Sequence, residues 1–156
     1  TPEGKKILPH VVCEPSLGVG RALIVFLLES YHFNKEKNTT ILKLNPKLSP
    51  VKAAVFPIIK KPEYEDMAKE ILKDLRTEFN CNYDKSGSIG RRYARNDEIG
   101  TPYCITIDEN SPKNQDITIR DRDTRKQIRI KTKDLKNTLR KLINQEIQFE
   151  EAGKVI

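Results

Sequence analysis

The stretch VKAAVFPIIKKPEYEDMAKEILKDLRTEF, residues 51–79, contains the first strand and the first helix of an α/β domain. Residues 51–59 form a nearly continuous apolar run rich in β-branched side chains, which is typical of a strand buried in a parallel sheet. Pro62 is a favourable first residue for the helix that follows, and acidic side chains occupy its positive end. The apolar side chains of that helix recur with i, i+3, i+4, i+7 spacing: Tyr64, Met67, Ala68, Ile71, Leu72, Leu75 and Phe79.

The residues after this unit predict the rest of one domain. Short apolar strands are expected at 81–83 and 103–107, and residues 117–120 and 127–130 alternate with period two, which is typical of a hairpin. We therefore predict that residues 51–145 form a three-layer α/β/α domain around a five-stranded mixed sheet. The last helix places four apolar side chains inward: Leu135, Leu139, Leu142 and Ile143.

A further helix is expected after Ser88, which can cap it. We expect Ile89 and Tyr93 to lie on its inner face. Its three arginines are expected to face solvent: Arg91, Arg92 and Arg95. The acids that follow, Asp97 and Glu98, can pair with two of these arginines, Arg92 or Arg95.

The first 48 residues have a different character. Residues 9–14 predict an apolar strand, residues 15–20 a turn, and residues from 21 to about 31 a helix that is apolar almost all round. Such a helix is normally buried by neighbours, and we recognise none in so short a segment. The polar, proline-containing stretch 45–50 is typical of an interdomain link, so we place a domain boundary between 48 and 49.

The charge of the chain favours a polyanionic partner such as a nucleic acid or a nucleotide, since the net charge is +7 and the isoelectric point is about 9.3. Because acids are interspersed, a surface that only confers solubility is the alternative. Residues 120–141 carry three acids and ten bases, and can be a footprint for RNA phosphates or a solvated face. The bases are Arg120, Arg122, Arg125, Lys126, Arg129, Lys131, Lys133, Lys136, Arg140 and Lys141.

The cysteines argue against a disulfide framework or a zinc site, because Cys13, Cys81 and Cys104 are far apart and odd in number. They favour a reducing, intracellular setting. We find no signal peptide, and the longest apolar run, residues 22–28, is too short to span a bilayer. The first residue is Thr1 rather than Met, which suggests a piece of a longer protein.

The segment EPSLGVGR, residues 14–21, is the first candidate site. A strand that ends in a carboxylate and a hydroxyl is followed by two glycines and by an arginine that opens a helix. Glycines let a ligand approach the backbone closely, and an arginine can neutralise phosphate or stack on a base. Many strand-to-helix turns use the same glycine spacing for packing alone, so the residues leave both readings open.

This segment resembles motif 3 of class II aminoacyl-tRNA synthetases, in the form found in glycyl-tRNA synthetases of the archaeal and eukaryotic type. The resemblance implies that Arg21 packs on ATP and contacts its phosphates. It also implies that Glu14 and Ser16 help to form the glycine pocket, with Gly18 beside both substrates and Gly20 beside ATP. Glu14 is a possible ligand for Mg²⁺ carried by ATP, and we expect no other protein-held metal.

The stretch RYARNDEIGTP, residues 92–102, is similar to the anticodon-binding domain shared by glycyl-, histidyl-, prolyl- and threonyl-tRNA synthetases, and it is the most specific match in the chain. The similarity continues at 117–124, at 126–130 and at 48–52. It implies the strand order 2-1-3-4-5 with one antiparallel strand, and tRNA(Gly) as partner. The candidate tRNA contacts are Arg91, Arg95, Arg125, Lys126 and Arg129.

The family resemblance implies a glycine–tRNA ligase: ATP-dependent formation of glycyl-adenylate with Mg²⁺, transfer of glycine to tRNA(Gly), a homodimer, a cytoplasmic location and no membrane partner. Motifs 1 and 2 are not recognisable, so we expect this piece alone to be inactive. The alternative is a non-catalytic nucleic-acid-binding module derived from a class II synthetase, as the accessory subunit of mitochondrial DNA polymerase is. Glu-Pro-Ser at 14–16 disfavours a histidyl, prolyl or threonyl enzyme.

Overall fold

The computed structural model describes residues 2–8, 10, 13–35 and 38–156. The helices and strands, in chain order, are α1 (Val19–Ser30), β1 (Tyr31–Asn34), β2 (Thr39–Leu42), β3 (Ala53–Pro57), α2 (Pro62–Leu75), β4 (Cys81–Tyr83), α3 (Ile89–Glu98), β5 (Tyr103–Ile107), α4 (Ser111–Asn114), β6 (Asp116–Asp121), β7 (Gln127–Lys131), α5 (Leu135–Asn144) and β8 (Lys154–Val155). Two short 3₁₀ turns lie at Thr132–Asp134 and Phe149–Glu151.

The main sheet has the order β4-β3-β5-β6-β7-β8. β3 runs parallel to both β4 and β5, whereas β6 is antiparallel to β5 and to β7. The predicted order and the single antiparallel strand are therefore confirmed for the first five strands. The predicted count of five is wrong, because β8 adds a sixth strand through the pairs Ile128↔Val155 and Arg129↔Lys154.

The sheet is covered by helices on both faces, as expected for three layers. Successive residues of β3 point to opposite faces. Ala53 and Val55 join the larger core under α2 and α5, and both are fully buried. Ala54 and Phe56 join a smaller cluster with Cys104, against which α3 packs two side chains: Ile89 and Tyr93.

The N-terminal segment forms a helix and a separate hairpin. β1 and β2 pair antiparallel, from Tyr31↔Leu42 to Asn34↔Thr39, and β2 packs against α3. This hairpin was not predicted from the sequence. The predicted helix is confirmed as α1, but its apolar side chains remain exposed, for example Leu28 at 72%.

The predicted strand at 9–14 falls partly on Pro9, Val11 and Val12, which lie outside the described residues. His10, Cys13 and Glu14 are not in a strand. A strand requires a hydrogen-bonded neighbouring strand. The strands that the structure describes pair with one another, and none pairs with these three residues. None of the described helices combines the length and the apolar character needed to cross a bilayer.

Candidate nucleic-acid interface and nucleotide-binding segment

The stretch 92–102 begins with a buried arginine. Arg92 is only 2% exposed, and its guanidinium donates from Nη1 to the Pro57 carbonyl oxygen at 2.7 Å and from Nη2 to the Gly87 carbonyl oxygen at 3.0 Å. The prediction that Arg92 faces solvent is wrong, because these two carbonyl groups replace part of the water that a buried guanidinium loses. Arg92 therefore fastens α3 to the end of β3.

Asp97 at the end of α3 pairs with Arg120 of β6. The two side chains form a bidentate pair at 2.9 and 3.0 Å, and they are only 7% and 8% exposed. The Arg120 guanidinium also lies 4.6 Å from the centre of the Tyr93 ring, a cation–π contact. Burial works against the charged guanidinium, but the hydrogen bonds and charge of Asp97 outweigh it, so the pKa of Arg120 is raised. The expectation that Asp97 pairs with Arg92 or Arg95 is wrong.

Arg122 is the third buried arginine of this region. Its side chain is 1% exposed and donates to the carbonyl oxygens of Gly100 and Leu44, both at 2.8 Å. It also forms a bidentate pair with the neighbouring Asp123 at 2.9 and 2.8 Å. Within the stretch 92–102, Arg92, Asp97 and Gly100 therefore help to hold the domain together.

Six of the ten bases at 120–141 are paired with acids, five of them with acids from other parts of the chain. Arg120 and Arg122 are paired as described above. Arg129 lies between two carboxylates, which raises its pKa through the hydrogen bond to Asp108 first and the bond to Asp116 second. The other pairs are Lys126 with Glu150 at 2.7 Å, Lys136 with Asp74 at 2.9 Å, and Arg140 with Glu78 at 2.7 Å.

The five predicted tRNA contacts therefore differ in whether an acid of the chain already neutralises them. Lys126 and Arg129 are paired with acids. Arg95 pairs with Asp84, and the hydrogen bonds that Asp84 accepts outweigh burial and lower the pKa of that carboxyl. Within the described ranges, the guanidinium groups of the two remaining residues of the set, Arg91 and Arg125, form no hydrogen bond or ion pair, and both residues are exposed. Their positive charges are therefore not neutralised by an acid among the described residues.

A cleft of about 230 Å³ lies between the hairpin strand β2 and α3, with Arg125 at its edge. Asp97, Arg120 and Tyr93 contribute to its walls, so the buried pair lies beneath it. Arg125 has a left-handed backbone with φ of 62°, in the turn between β6 and β7. The Asp121 carboxylate holds that turn by accepting from the Thr124 backbone N–H at 2.8 Å and from its hydroxyl at 2.7 Å.

The segment at 14–21 lies at the start of α1. Its five predicted site residues are all exposed: Glu14, Ser16, Gly18, Gly20 and Arg21. The Arg21 side chain folds back over Gly18, where a Cβ atom would lie 3.7 Å from Arg21 Cδ. The structure thus brings the arginine and the first glycine together. No group of three potential metal ligands occurs among the described residues.

The three cysteines are free thiols in this fold. Cys13 is exposed, whereas Cys81 and Cys104 are buried in strands of the main sheet. Burial raises the pKa of Cys81 to about 11 and that of Cys104 to about 12, so neither thiol is reactive near neutral pH.

Comparison with solved structures gives the class of fold. The structure of prolyl-tRNA synthetase from Cryptosporidium parvum complexed with halofuginone and AMPPNP superimposes with a TM-score of 0.63. That superposition covers 67% of this chain and 23% of the synthetase, at 21% sequence identity. The chain therefore has the fold of one part of an aminoacyl-tRNA synthetase.

The family described as "Anticodon binding domain" matches residues 52–142, and the chain belongs to this family. Curated relatives include the glycine–tRNA ligases of Rhodopirellula baltica, 46% identical over 138 residues, and of Thermococcus sibiricus, 45% identical over 141 residues. These alignments cover 84% and 90% of this chain but only 26% and 24% of the relatives. The resemblance to glycyl-tRNA synthetases that the sequence predicted is confirmed. The chain spans about a quarter of the length of these relatives.

Proposed function

We propose that the chain is the C-terminal part of a glycine–tRNA ligase, with a catalytic segment at 1–48 and an anticodon-binding domain at 49–156. The observation that carries this proposal is the extent of the similarity. The family match ends at residue 142, and only 14 residues follow it. An alignment over 90% of the chain is much longer than that match, so it also takes in part of the N-terminal segment. The likeness to glycine–tRNA ligases is therefore not confined to the anticodon-binding domain.

The segment at 14–21 then supplies one wall of the site that activates glycine. Arg21 stabilises the ATP phosphates, Glu14 and Ser16 hold glycine, and Gly18 and Gly20 allow the backbone to approach the substrates. Mg²⁺ neutralises charge on the phosphates when bound. A single carboxylate at Glu14 fits an ion that is carried by ATP rather than one held by the chain alone. The exposure of this segment agrees with a site that other parts of the ligase complete.

The anticodon-binding domain binds tRNA(Gly), with Arg91 and Arg125 as the phosphate contacts. Both are exposed, and the structure pairs neither with an acid in the residues it describes. The glycine–tRNA ligase acts as a homodimer in the cytoplasm, with ATP and glycine as its small substrates.

The test is the activity of the full-length protein with Arg21→Ala. Loss of one group that stabilises phosphate charge should lower glycine-dependent ATP–pyrophosphate exchange by on the order of 10²–10³. Arg91→Ala is the matched control, because it removes an exposed arginine of the anticodon-binding domain and should leave exchange intact while weakening tRNA binding.

Wild-type exchange in Arg21→Ala would show that residues 14–21 are not the ATP site. Activation of another amino acid in place of glycine would contradict the substrate. If the full-length protein binds tRNA but activates no amino acid, it is the non-catalytic nucleic-acid-binding module instead.

A further inference from the structure

The link between the N-terminal hairpin and the main sheet, residues 43–52, is hydrogen-bonded to the rest of the domain at Gly100. The Gly100 carbonyl oxygen accepts from Ser49 Oγ and from Arg122 Nη1, both at 2.8 Å. A second nitrogen of the same guanidinium, Nη2, donates to the Leu44 carbonyl oxygen, also at 2.8 Å. One buried side chain therefore binds the link and the body of the domain at the same time, across 78 residues of sequence.

The link packs closely against the backbone of Gly100. Gly100 has φ of +81°, and a Cβ atom there would lie 3.1 Å from the Leu42 carbonyl oxygen and 3.2 Å from Leu44 Cδ1. Within the link, Lys52 Nζ donates to the carbonyl oxygens of Pro46 at 2.9 Å and Lys47 at 2.8 Å. The link is thus fixed along its length rather than free to swing.

The same contacts continue to the helix that follows the nucleotide-binding segment. The Lys43 backbone N–H donates to the Ser30 carbonyl oxygen at 2.7 Å, and Ser30 is the last residue of α1. Lys43 directly precedes Leu44, which Arg122 holds. The C-terminal end of α1 is therefore connected to Arg122 through two hydrogen bonds and one peptide unit.

We propose that Arg122 is a positioning residue that sets the orientation of the anticodon-binding domain relative to the segment carrying Arg21. This inference rests on the proposed function. Arg122 lies in the same turn as Arg125, the proposed tRNA contact. The hydrogen bonds from Arg122 reach the C-terminal end of α1, and α1 carries Arg21 near its start. A tRNA bound at the anticodon is thereby held with its other end at the active site.

Arg92 is a matched control for Arg122. Both arginines are almost fully buried, and both donate to two backbone carbonyl groups. The acceptors of Arg92 are Pro57 and Gly87, which both belong to the anticodon-binding domain, whereas one acceptor of Arg122 belongs to the link. Arg92→Lys and Arg122→Lys should therefore both lower stability, but only Arg122→Lys should loosen the link. Lysine keeps the charge in each case.

The first measurement is a spin-label distance in the full-length protein, between Lys35→Cys beside the hairpin and Glu70→Cys on α2, with Cys13 and any other exposed native cysteine of that protein replaced by serine. We expect a single narrow distance distribution in the parent and in Arg92→Lys, and a broadened or shifted one in Arg122→Lys. Ser49→Ala removes a second bond to Gly100 with little change in shape and should broaden the distribution less, which provides a milder variant if Arg122→Lys folds poorly.

The second measurement compares two steps of the reaction. Misplacement of tRNA relative to the active site should lower kcat/KM for charging of tRNA(Gly) in Arg122→Lys by on the order of 10- to 100-fold. Glycine-dependent ATP–pyrophosphate exchange, which needs no tRNA, should stay at the wild-type level. In Arg92→Lys, charging and exchange should both remain near wild type.

An unchanged distance distribution in Arg122→Lys overturns the proposal. Equal loss of charging in Arg122→Lys and Arg92→Lys also overturns it, because the effect is then general destabilisation. If the wild-type protein shows neither exchange nor charging, the proposed function fails, and the distance measurement still decides whether Arg122 fixes the link.

Discussion

The pair between Asp97 and Arg120 gives the sharpest stability prediction. Asp97→Asn keeps the shape of the side chain and one acceptor oxygen but removes the negative charge. Arg120 then remains charged beneath the surface, where its side chain is 8% exposed, with one oxygen acceptor and the Tyr93 ring in place of the bidentate carboxylate. Removing one partner of a buried pair commonly costs about 3–5 kcal/mol. Because asparagine retains one hydrogen bond, we expect a loss of about 3 kcal/mol in the free energy of unfolding.

Urea unfolding followed by circular dichroism measures this loss on the 156-residue chain. Asp66→Asn is the control, since Asp66 and Lys69 form a pair at 3.0 Å whose side chains are 66% and 60% exposed. Loss of such a surface pair should cost less than about 1 kcal/mol. The double variant Asp97→Leu/Arg120→Met removes both charges and should recover most of the stability. If Asp97→Asn loses no more than Asp66→Asn, or if the double variant is no more stable than the single one, the reasoning is refuted.

Two further predictions concern stability in acid and at the link. Burial raises the pKa of Asp108, but the bonds from Arg129, the Asn110 N–H and Ser111 outweigh it, so the folded-state pKa lies below the unfolded value. The ionised Asp108 side chain stabilises the fold above its unfolded-state pKa, and this stabilisation is lost as pH falls through its folded-state pKa. In urea unfolding, Asp108→Asn should therefore lose less stability than the wild type when the pH is lowered below about 4. Gly100→Ala should lower the free energy of unfolding by roughly 1–2 kcal/mol because of its left-handed backbone, and by more because of the contact with Leu42. Gly90 has open space around it, so Gly90→Ala should not lower the free energy of unfolding. Equal unfolding midpoints for the two alanine variants would contradict the account of Gly100. A loss of stability in acid that is the same in Asp108→Asn as in the wild type would contradict the account of Asp108.

The fold was largely predictable because its local patterns are strong. The apolar run that contains β3 and the helical spacing of α2 identify a strand and a helix without tertiary information. The sixth strand was not predictable, since Lys154 and Val155 are too few to show alternation. The β1–β2 hairpin did leave a signal: two runs rich in aromatic and β-branched residues flank the polar loop around residues 35–38.

The contacts of the buried arginines could not be predicted from sequence patterns alone. A helical pattern assigns Arg92 to solvent, because it contains no information about the carbonyl groups of Pro57 and Gly87. Asp97 and Arg120 are 23 residues apart, so their pairing depends on where α3 crosses the sheet. One signal was available: period two places Arg120 and Arg122 on the sheet face opposite to Ile119, and that face is covered by α3.

The candidate tRNA contacts were named from their basic character, and the sequence does not show which of these bases are paired with acids. Ten bases in a run of 22 residues indicate charge, but most of the acids that neutralise them come from elsewhere in the chain, such as Asp74 and Glu78 of α2 and the loop after it. Only the folded arrangement separates the paired bases from Arg91 and Arg125. The assignment of residues 14–21 to ATP and glycine still rests on the family resemblance.

The salt dependence of tRNA(Gly) binding tests the proposed interface most directly. Two variants of the full-length protein each remove two positive charges: Arg91→Ala/Arg125→Ala from the unpaired set, and Lys136→Ala/Arg140→Ala from the set paired with acids. Because each lost phosphate contact reduces the log–log salt slope by about 0.7–0.9, the first variant should bind more weakly with a flatter slope. The second should keep the wild-type slope. Equal effects of the two variants, or binding that does not depend on salt, would contradict the account.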